Sequence, residues 1–116
     1  MLIHCLTVRF KETATPQQIE TFHAALAALP DQIDLPFHAR HGHDRGERPA
    51  NADYAVVSEF ESAEDFSRFL EHPAHKAIPR DAVESFNSVQ FMVEPYSADR
   101  YQSDHSHGGN GSIQPD

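Results

Sequence analysis

The sequence of 116 residues contains one cysteine, few basic residues and no long hydrophobic run. Because Cys5 has no second cysteine to pair with in the chain, no internal disulfide can form, which suits a reducing compartment. Nine Lys and Arg against 18 Asp and Glu give a net charge of −9, whereas nucleic-acid binding requires basic side chains that neutralise phosphates. The longest apolar block, residues 24–29, is too short to cross a bilayer. We therefore expect a cytoplasmic protein that binds neither nucleic acid nor a membrane.

The length favours one domain with a substantial core, which we place at residues 1–96. Residues 97–116 are polar and have no apolar period, so we expect a tail that is disordered in isolation. Alternating apolar and polar residues predict β-strands over residues 2–10, 33–41, 54–60 and 89–93. Pro36 favours an edge position or a bulge for the second strand. Residues 42–51 are rich in turn formers and charges and predict a loop exposed to solvent.

The first helix has a clear beginning and a clear end in the sequence. Thr15 suits the N-cap, Pro16 suits the first helical position, and Gln18 completes a capping box with Thr15. An apolar stripe at helical spacing follows, and we expect the helix to end at Pro30.

The second helix begins with a similar signal. Ser62 is followed three residues later by Asp65, so the serine oxygen can accept a backbone N–H while the acid lies at the positive end of the helix. Pro73 disfavours helical geometry at His72, where this helix should end. Residues 77–86 carry a further apolar stripe, which we interpret as partly helical.

The order of the elements is strand, helix, strand, strand, helices, strand. This order predicts an α+β fold in which helices cover one face of a four-stranded antiparallel sheet. The opposite face would remain apolar, since Ile3, Cys5, Ala55 and Val57 would lie there. We expect a second copy of the chain, related by a two-fold axis, to cover it, which predicts a homodimer.

Two histidines flank the proline that ends the second helix. Histidine is well suited to move protons near neutral pH, and Phe66 and Phe69 would desolvate His75 and favour its neutral, proton-accepting form. Alternatively, His75 hydrogen-bonds a free carbonyl at the helix end and has a structural role. His72 suits a structural role, because a cationic ring is favourable at a helix C-terminus.

Two residues on the predicted strands are further candidates. His4 shares a strand face with Leu6 and is either a core histidine or a donor in a pocket. Tyr54 shares a face with Val56 and either packs in the core or extends its hydroxyl to the rim of a pocket. Cys5 and His4 do not form a nucleophile and base pair, because neighbours in a strand point to opposite faces.

A histidine cluster raises the question of a metal site. The histidines concerned are His38, His41, His43, His105 and His107. Gly42 lies between His41 and His43 and favours an end of the strand there. In addition, no cysteine or carboxylate spacing completes a tetrahedral set of ligands. We therefore predict no metal site.

Several segments resemble the stress-responsive dimeric α/β-barrel (Dabb) domain family over residues 2–96. They include HCLTVRF at residues 4–10, DYAVV at residues 53–57 and FLEHPAH at residues 69–75, which is the most specific of the three. The resemblance implies a ferredoxin-like monomer whose sheet meets that of a second copy to form a dimeric α/β barrel.

The resemblance also extends to olivetolic acid cyclase, a polyketide cyclase of this family that closes a ring by an aldol condensation without a cofactor. It implies that His75 is the general base and that His4 lines the pocket. Phe69 stands where the cyclase has a tyrosine whose hydroxyl polarises the substrate. Tyr54 stands where the cyclase has a pocket histidine, and this tyrosine could supply a hydroxyl instead.

Two functions are compatible with these residues. In the first, a small apolar carbonyl compound binds between helices and sheet, and His75 and Tyr54 catalyse a cofactor-free cyclisation or lyase-type step. The substrate-binding residues would then be His4, Leu6, Phe22, Leu26, Val56, Phe69 and His72. In the second, the chain forms a non-catalytic, stress-responsive or ligand-carrying barrel with structural histidines. An interior filled by Phe22, Leu26, Val56, Phe69 and Phe91 would favour this second function.

Overall fold

The computed structural model describes residues 1–94 and contains a four-stranded antiparallel sheet with helices on one face. The elements are β1 (Leu2–Phe10), α1 (Pro16–Gln32), β2 (Phe37–His43), β3 (Tyr54–Phe60), α2 (Ala63–Glu71), α3 (Pro73–Lys76) and β4 (Val83–Met92). The strand order β2-β3-β1-β4 places β1 in the interior of the sheet. This is the ferredoxin-like arrangement, so the predicted fold class is confirmed. The predicted polar tail, residues 97–116, lies outside the described residues.

The core lies between the helices and the sheet. Val8, Tyr54 and Phe60 are at most 1 % exposed and come from the two central strands. Val8 pairs with Tyr54 on one side and with Phe86 on the other, so these side chains share the face that the helices cover. Every second residue of β1 therefore contributes to this core.

Helix α1 begins as predicted. The Thr15 hydroxyl accepts from the Gln18 backbone N–H at 3.1 Å, and the Gln18 side chain accepts from the Thr15 N–H at 3.0 Å. The predicted end at Pro30 is wrong, because the helix continues to Gln32. Pro30 lies in the last turn, and the N–H of Ile33 closes that turn on the Leu29 carbonyl at 3.0 Å. The missing N–H of the proline therefore costs one bond without ending the helix.

Strand β2 is displaced relative to the prediction of residues 33–41. Ile33 is the C-cap of α1 and is 3 % exposed, so it belongs to the core beneath the helix end. Pairing begins at Phe37, directly after Pro36, and it continues through Gly42 to His43, which pairs with Tyr54. The expected end of the strand at Gly42 is thus wrong, and the loop begins two residues later than predicted.

Helix α2 has its predicted cap, with the Asp65 N–H donating to the Ser62 hydroxyl at 3.1 Å, and it ends at His72. The interpretation of residues 77–86 as partly helical is wrong. Between residues 73 and 82 the structure contains one short helix, α3, which begins at the proline, and β4 begins at Val83, six residues before the predicted strand. Since β1 extends to Phe10, it pairs with β4 back to Val83, and this pairing determines the conformation of the segment.

The sheet face opposite the helices is apolar and uncovered. Val57, Val89 and Phe91 are 42 %, 57 % and 46 % exposed, and Cys5 pairs with the first two of them. Phe91 pairs with Ile3 on this face, so the expectation that Phe91 helps to fill the interior is wrong. Among residues 1–94, no helix is both long and apolar enough to cross a membrane.

Candidate functional site

A small pocket of about 70 Å³ lies between the helices and the sheet. Seven residues predicted from the sequence line it: His4, Leu6, Phe22, Leu26, Val56, Phe69 and His75. Strand alternation and the stripe of α1 bring five of them together, because both direct side chains into the space beneath the helices. Helices α2 and α3 supply the other two, Phe69 and His75. Phe86 also lines the pocket and is 41 % exposed, so the pocket reaches the surface beside β4.

His75 lies on α3 with its ring 4.8 Å from that of Phe69. Burial lowers the pKa of His75 below its ordinary value of 6.5, and the nearby Arg80 charge lowers it further. A hydrogen bond to the backbone at Leu70 opposes this shift. With one ring N–H donating to that helix-end carbonyl, the neutral ring carries its lone pair on the other nitrogen. His75 is therefore able to accept a proton near neutral pH.

His4 approaches the same pocket from β1. The Gln90 amide nitrogen lies 2.8 Å from Nδ1 of His4, and the Phe66 ring lies 4.9 Å from the His4 ring. Because the amide donates, Nδ1 accepts and the neutral ring holds its proton on Nε2. Burial lowers the pKa of His4. The pocket thus contains one histidine suited to accept a proton and another suited to donate a hydrogen bond.

Arg80 is a pocket residue that the sequence reasoning missed. Its guanidinium donates to three backbone carbonyls, those of Lys76 and Ile78 at 3.3 Å and that of His75 at 3.4 Å. These bonds use three of its five N–H donors and leave two for other partners. A lone arginine five residues after the last histidine of the motif was the available sequence signal.

Two of the predicted site residues do not line the pocket. Nδ1 of His72 accepts the Ala74 N–H at 3.0 Å, so this ring caps α3. Tyr54 is 1 % exposed, and its hydroxyl lies 2.6 Å from Nδ1 of His23 and 2.7 Å from Nδ1 of His41. Burial, with a contribution from Glu20, raises the pKa of Tyr54 to about 12.

His41 is a second pocket residue that the sequence reasoning did not assign to this site. Burial lowers its pKa, and the proximity of His23 lowers it further. Because β2 continues through Gly42, His41 and His43 lie on the same face of the strand, toward Tyr54. Within the described part of the chain, no three His, Cys, Asp or Glu side chains are grouped so that they could hold a metal ion.

Solved structures with the same fold include proteins from bacteria and plants. A dimeric ferredoxin-like protein of unknown function from Thermobifida fusca is 31 % identical, with a TM-score of 0.70 over 79 % of this chain and 90 % of that chain. The hydroxynitrile lyase from Passiflora edulis is 20 % identical, with a TM-score of 0.70 over 83 % of this chain and 95 % of the lyase. A Dabb family protein from Mesorhizobium loti is 17 % identical, with a TM-score of 0.65 over 81 % of this chain and 97 % of that chain.

Among curated proteins, none matches the sequence of this chain. The sequence model of the stress responsive A/B barrel domain matches residues 2–96, the range over which the three sequence segments showed the resemblance. The chain therefore belongs to the stress responsive A/B barrel (Dabb) domain family.

Proposed function

We propose that this protein is a cofactor-free lyase that acts on a small hydroxyl compound, with His75 as the general base. The observation that carries the proposal is the pairing of a partly buried histidine with the cation of Arg80 in one small pocket. A base whose pKa is lowered stays neutral at neutral pH, and a fixed positive charge beside it can stabilise a developing anion.

The size of the pocket favours lyase chemistry over polyketide cyclisation. A cavity of about 150 Å³ accommodates benzene. The pocket has about half that volume, about 70 Å³, so it suits a compound of only a few heavy atoms. A polyketide chain would need several hundred Å³, which is the usual range of ligand pockets. A hydroxynitrile lyase shares this fold, which makes 2-hydroxynitriles a suitable first class of substrate to test.

In the proposed reaction, His75 removes the hydroxyl proton of the substrate. The oxygen lone pair forms the carbonyl while the bond to the adjacent carbon breaks, and that carbon leaves with the bonding electrons. Arg80 stabilises the negative charge with the two N–H groups that its backbone bonds do not use. This charge replaces part of the polarisation that Phe69 cannot provide, because it has no hydroxyl.

The proposal includes a homodimer. Three of the solved structures with this fold are of proteins described as dimeric. In this chain, the face that carries Cys5, Val57, Val89 and Phe91 is apolar and exposed, and it lies opposite the pocket. A second copy would bury this face without obstructing the site.

A non-catalytic, ligand-binding barrel is the second candidate function. The bond from His75 to the backbone at Leu70 favours it, because this bond gives the ring a structural role at the end of α2. The absence of a hydroxyl at Phe69 points in the same direction.

The test is the cleavage of small 2-hydroxynitriles, such as glycolonitrile with its four heavy atoms, measured as cyanide released above the spontaneous rate. We expect turnover by the native protein and a loss of about 100-fold or more in His75→Asn, the usual effect of removing a general base. His72→Asn is the matched control, because asparagine also caps helices and His72 lies outside the pocket lining. Equal rates for His75→Asn and the native protein would exclude the base, and no turnover with any compound would favour the second candidate.

A further inference from the structure

The Tyr54 hydroxyl is placed between two histidine nitrogens. It lies 2.6 Å from Nδ1 of His23 and 2.7 Å from Nδ1 of His41. Since a hydroxyl has one hydrogen, it donates to one of these nitrogens and accepts from an N–H on the other. The three side chains therefore form a continuous hydrogen-bonded chain. When one histidine takes the hydroxyl proton of Tyr54, the other histidine can replace it.

This chain runs from the pocket to the surface. His41 lines the pocket, Tyr54 is almost fully buried, and His23 is a partly exposed residue of α1. The carboxylate of Glu20 acts on Tyr54 from the preceding turn of α1, and the exposed His43 ring lies 5.5 Å from that of His23. The outer end can thus exchange protons with solvent, and the inner end faces the ligand space.

We propose that His41 is a second catalytic residue, which protonates the leaving carbanion and is recharged from solvent through Tyr54 and His23. The inference rests on the proposed lyase function. Nδ1 of His41 is engaged by Tyr54, so Nε2 is the nitrogen left for the pocket. When Nε2–H gives its proton to the carbanion, Nδ1 takes the Tyr54 proton, Tyr54 takes the Nδ1 proton of His23, and His23 regains one from solvent.

With a separate acid, the hydroxyl proton that His75 has taken does not have to reach the carbanion, and His75 releases it to solvent through the open side of the pocket beside β4. The charged and titratable groups around the two histidines are His4 and Arg80 in the pocket, His23 and Glu20 on α1, and His43 on β2. Arg80 and His4 both disfavour the positive charge on His75, which lowers the pKa of His75 and favours the release of its proton. The relay supplies a proton to the pocket without adding a lasting charge there, because His41, Tyr54 and His23 each end neutral. The two histidines end as the opposite tautomers, and proton exchange with solvent after product release restores the first arrangement. Tyr54 and His23 act through His41 and are positioning residues.

The first measurement uses the unmodified protein. A hydroxyl proton held between two nitrogens and shielded from solvent should give a downfield proton NMR signal with cross-peaks to both imidazole rings. This signal should be absent in Tyr54→Phe, which keeps the ring. Failure to detect it in the native protein at low temperature and neutral pH would overturn the relay.

The second measurement is kinetic and uses glycolonitrile as the probe. His41→Gln keeps a hydrogen-bonding amide but cannot transfer a proton, and we expect a loss of about 100-fold in kcat. Tyr54→Phe should lower kcat and reduce the solvent isotope effect, because a single proton then moves in place of several. A merely structural tyrosine would leave the isotope effect unchanged. His43→Gln is the control, because His43 adjoins the relay without hydrogen-bonding to it.

The outcomes separate this inference from the proposed function. A native rate in His41→Gln together with an inactive His75→Asn would overturn the role of His41 and leave the lyase intact. An unchanged isotope effect in Tyr54→Phe would likewise overturn the relay alone. A native protein without turnover would overturn both. The inference would be supported by three results together: a lower kcat in His41→Gln, a reduced solvent isotope effect in Tyr54→Phe, and the downfield NMR signal in the native protein.

Discussion

Removing the Phe91 side chain should weaken the proposed dimer without damaging the fold of the monomer. Phe91 lies on β4, pairs with Ile3 and points away from the helices. Phe91 is 46 % exposed in the single chain and belongs to the same apolar face as the exposed Val57 and Val89. Nothing in the core depends on this ring, so Phe91→Ala acts on association.

The size of the effect follows from the exposed fraction. Full burial of a phenylalanine side chain contributes about 1.5–3 kcal/mol. Burying the exposed 46 % of Phe91 then contributes about 1 kcal/mol per copy. Each copy of a two-fold symmetric dimer contributes one Phe91, so the substitution makes the free energy of association less favourable by about 2 kcal/mol. This corresponds to a dissociation constant about 30-fold higher.

Sedimentation velocity over a range of protein concentrations measures this constant. Phe86→Ala is the matched control, because Phe86 lies on the same strand and is 41 % exposed, but it faces the pocket. Phe86→Ala should leave the constant unchanged. Equal effects of the two substitutions, or a native protein that is monomeric at every concentration, would refute the assignment of this face to the dimer.

Two further predictions concern the stability of the fold. Burial lowers the pKa of His4, His41 and His75, so below pH 6.5 the unfolded chain binds more protons than the folded one. The free energy of unfolding therefore decreases as the pH is lowered. Thermal unfolding should show a falling midpoint between pH 7.5 and about 5, and a rising midpoint would contradict the burial of these rings. Ser62→Ala removes the acceptor of the Asp65 N–H and should cost about 1 kcal/mol in the free energy of unfolding. Denaturant unfolding measures this loss, and Ser62→Asp should retain most of the stability, whereas equal losses would argue against the cap.

The fold was predictable where the decisive interactions are local. The capping pairs Thr15 with Gln18 and Ser62 with Asp65 lie within one turn, and they begin the helices at the expected residues. The sequence was misleading where distant pairing decides the conformation. Val83 belongs to an apolar stripe that suits a helix, yet it forms a strand because Phe10 of β1 pairs with it.

The lining of the pocket was predictable for similar reasons and only in part. His4 and Val56 were found because strand alternation identifies one face, and His75 because the motif is distinctive. Arg80 was missed because it reaches the pocket from a turn, where no period indicates a direction. His23 lies outside the apolar stripe of α1, so only the tertiary packing of α1 on β2 and β3 shows its bond to Tyr54.

The two faces of β1 carry the two proposed sites of this chain, the pocket and the apolar face. His4 points into the pocket and Cys5 points to the exposed face, because neighbours in a strand alternate. A shift of one residue in the register of β1 would exchange the two faces and bury the residues of the apolar face beneath the helices. The pairing of β1 with both β3 and β4 prevents such a shift, since each side chain would lose two cross-strand neighbours. The register of this central strand therefore fixes the pocket and the apolar face together, although no residue belongs to both.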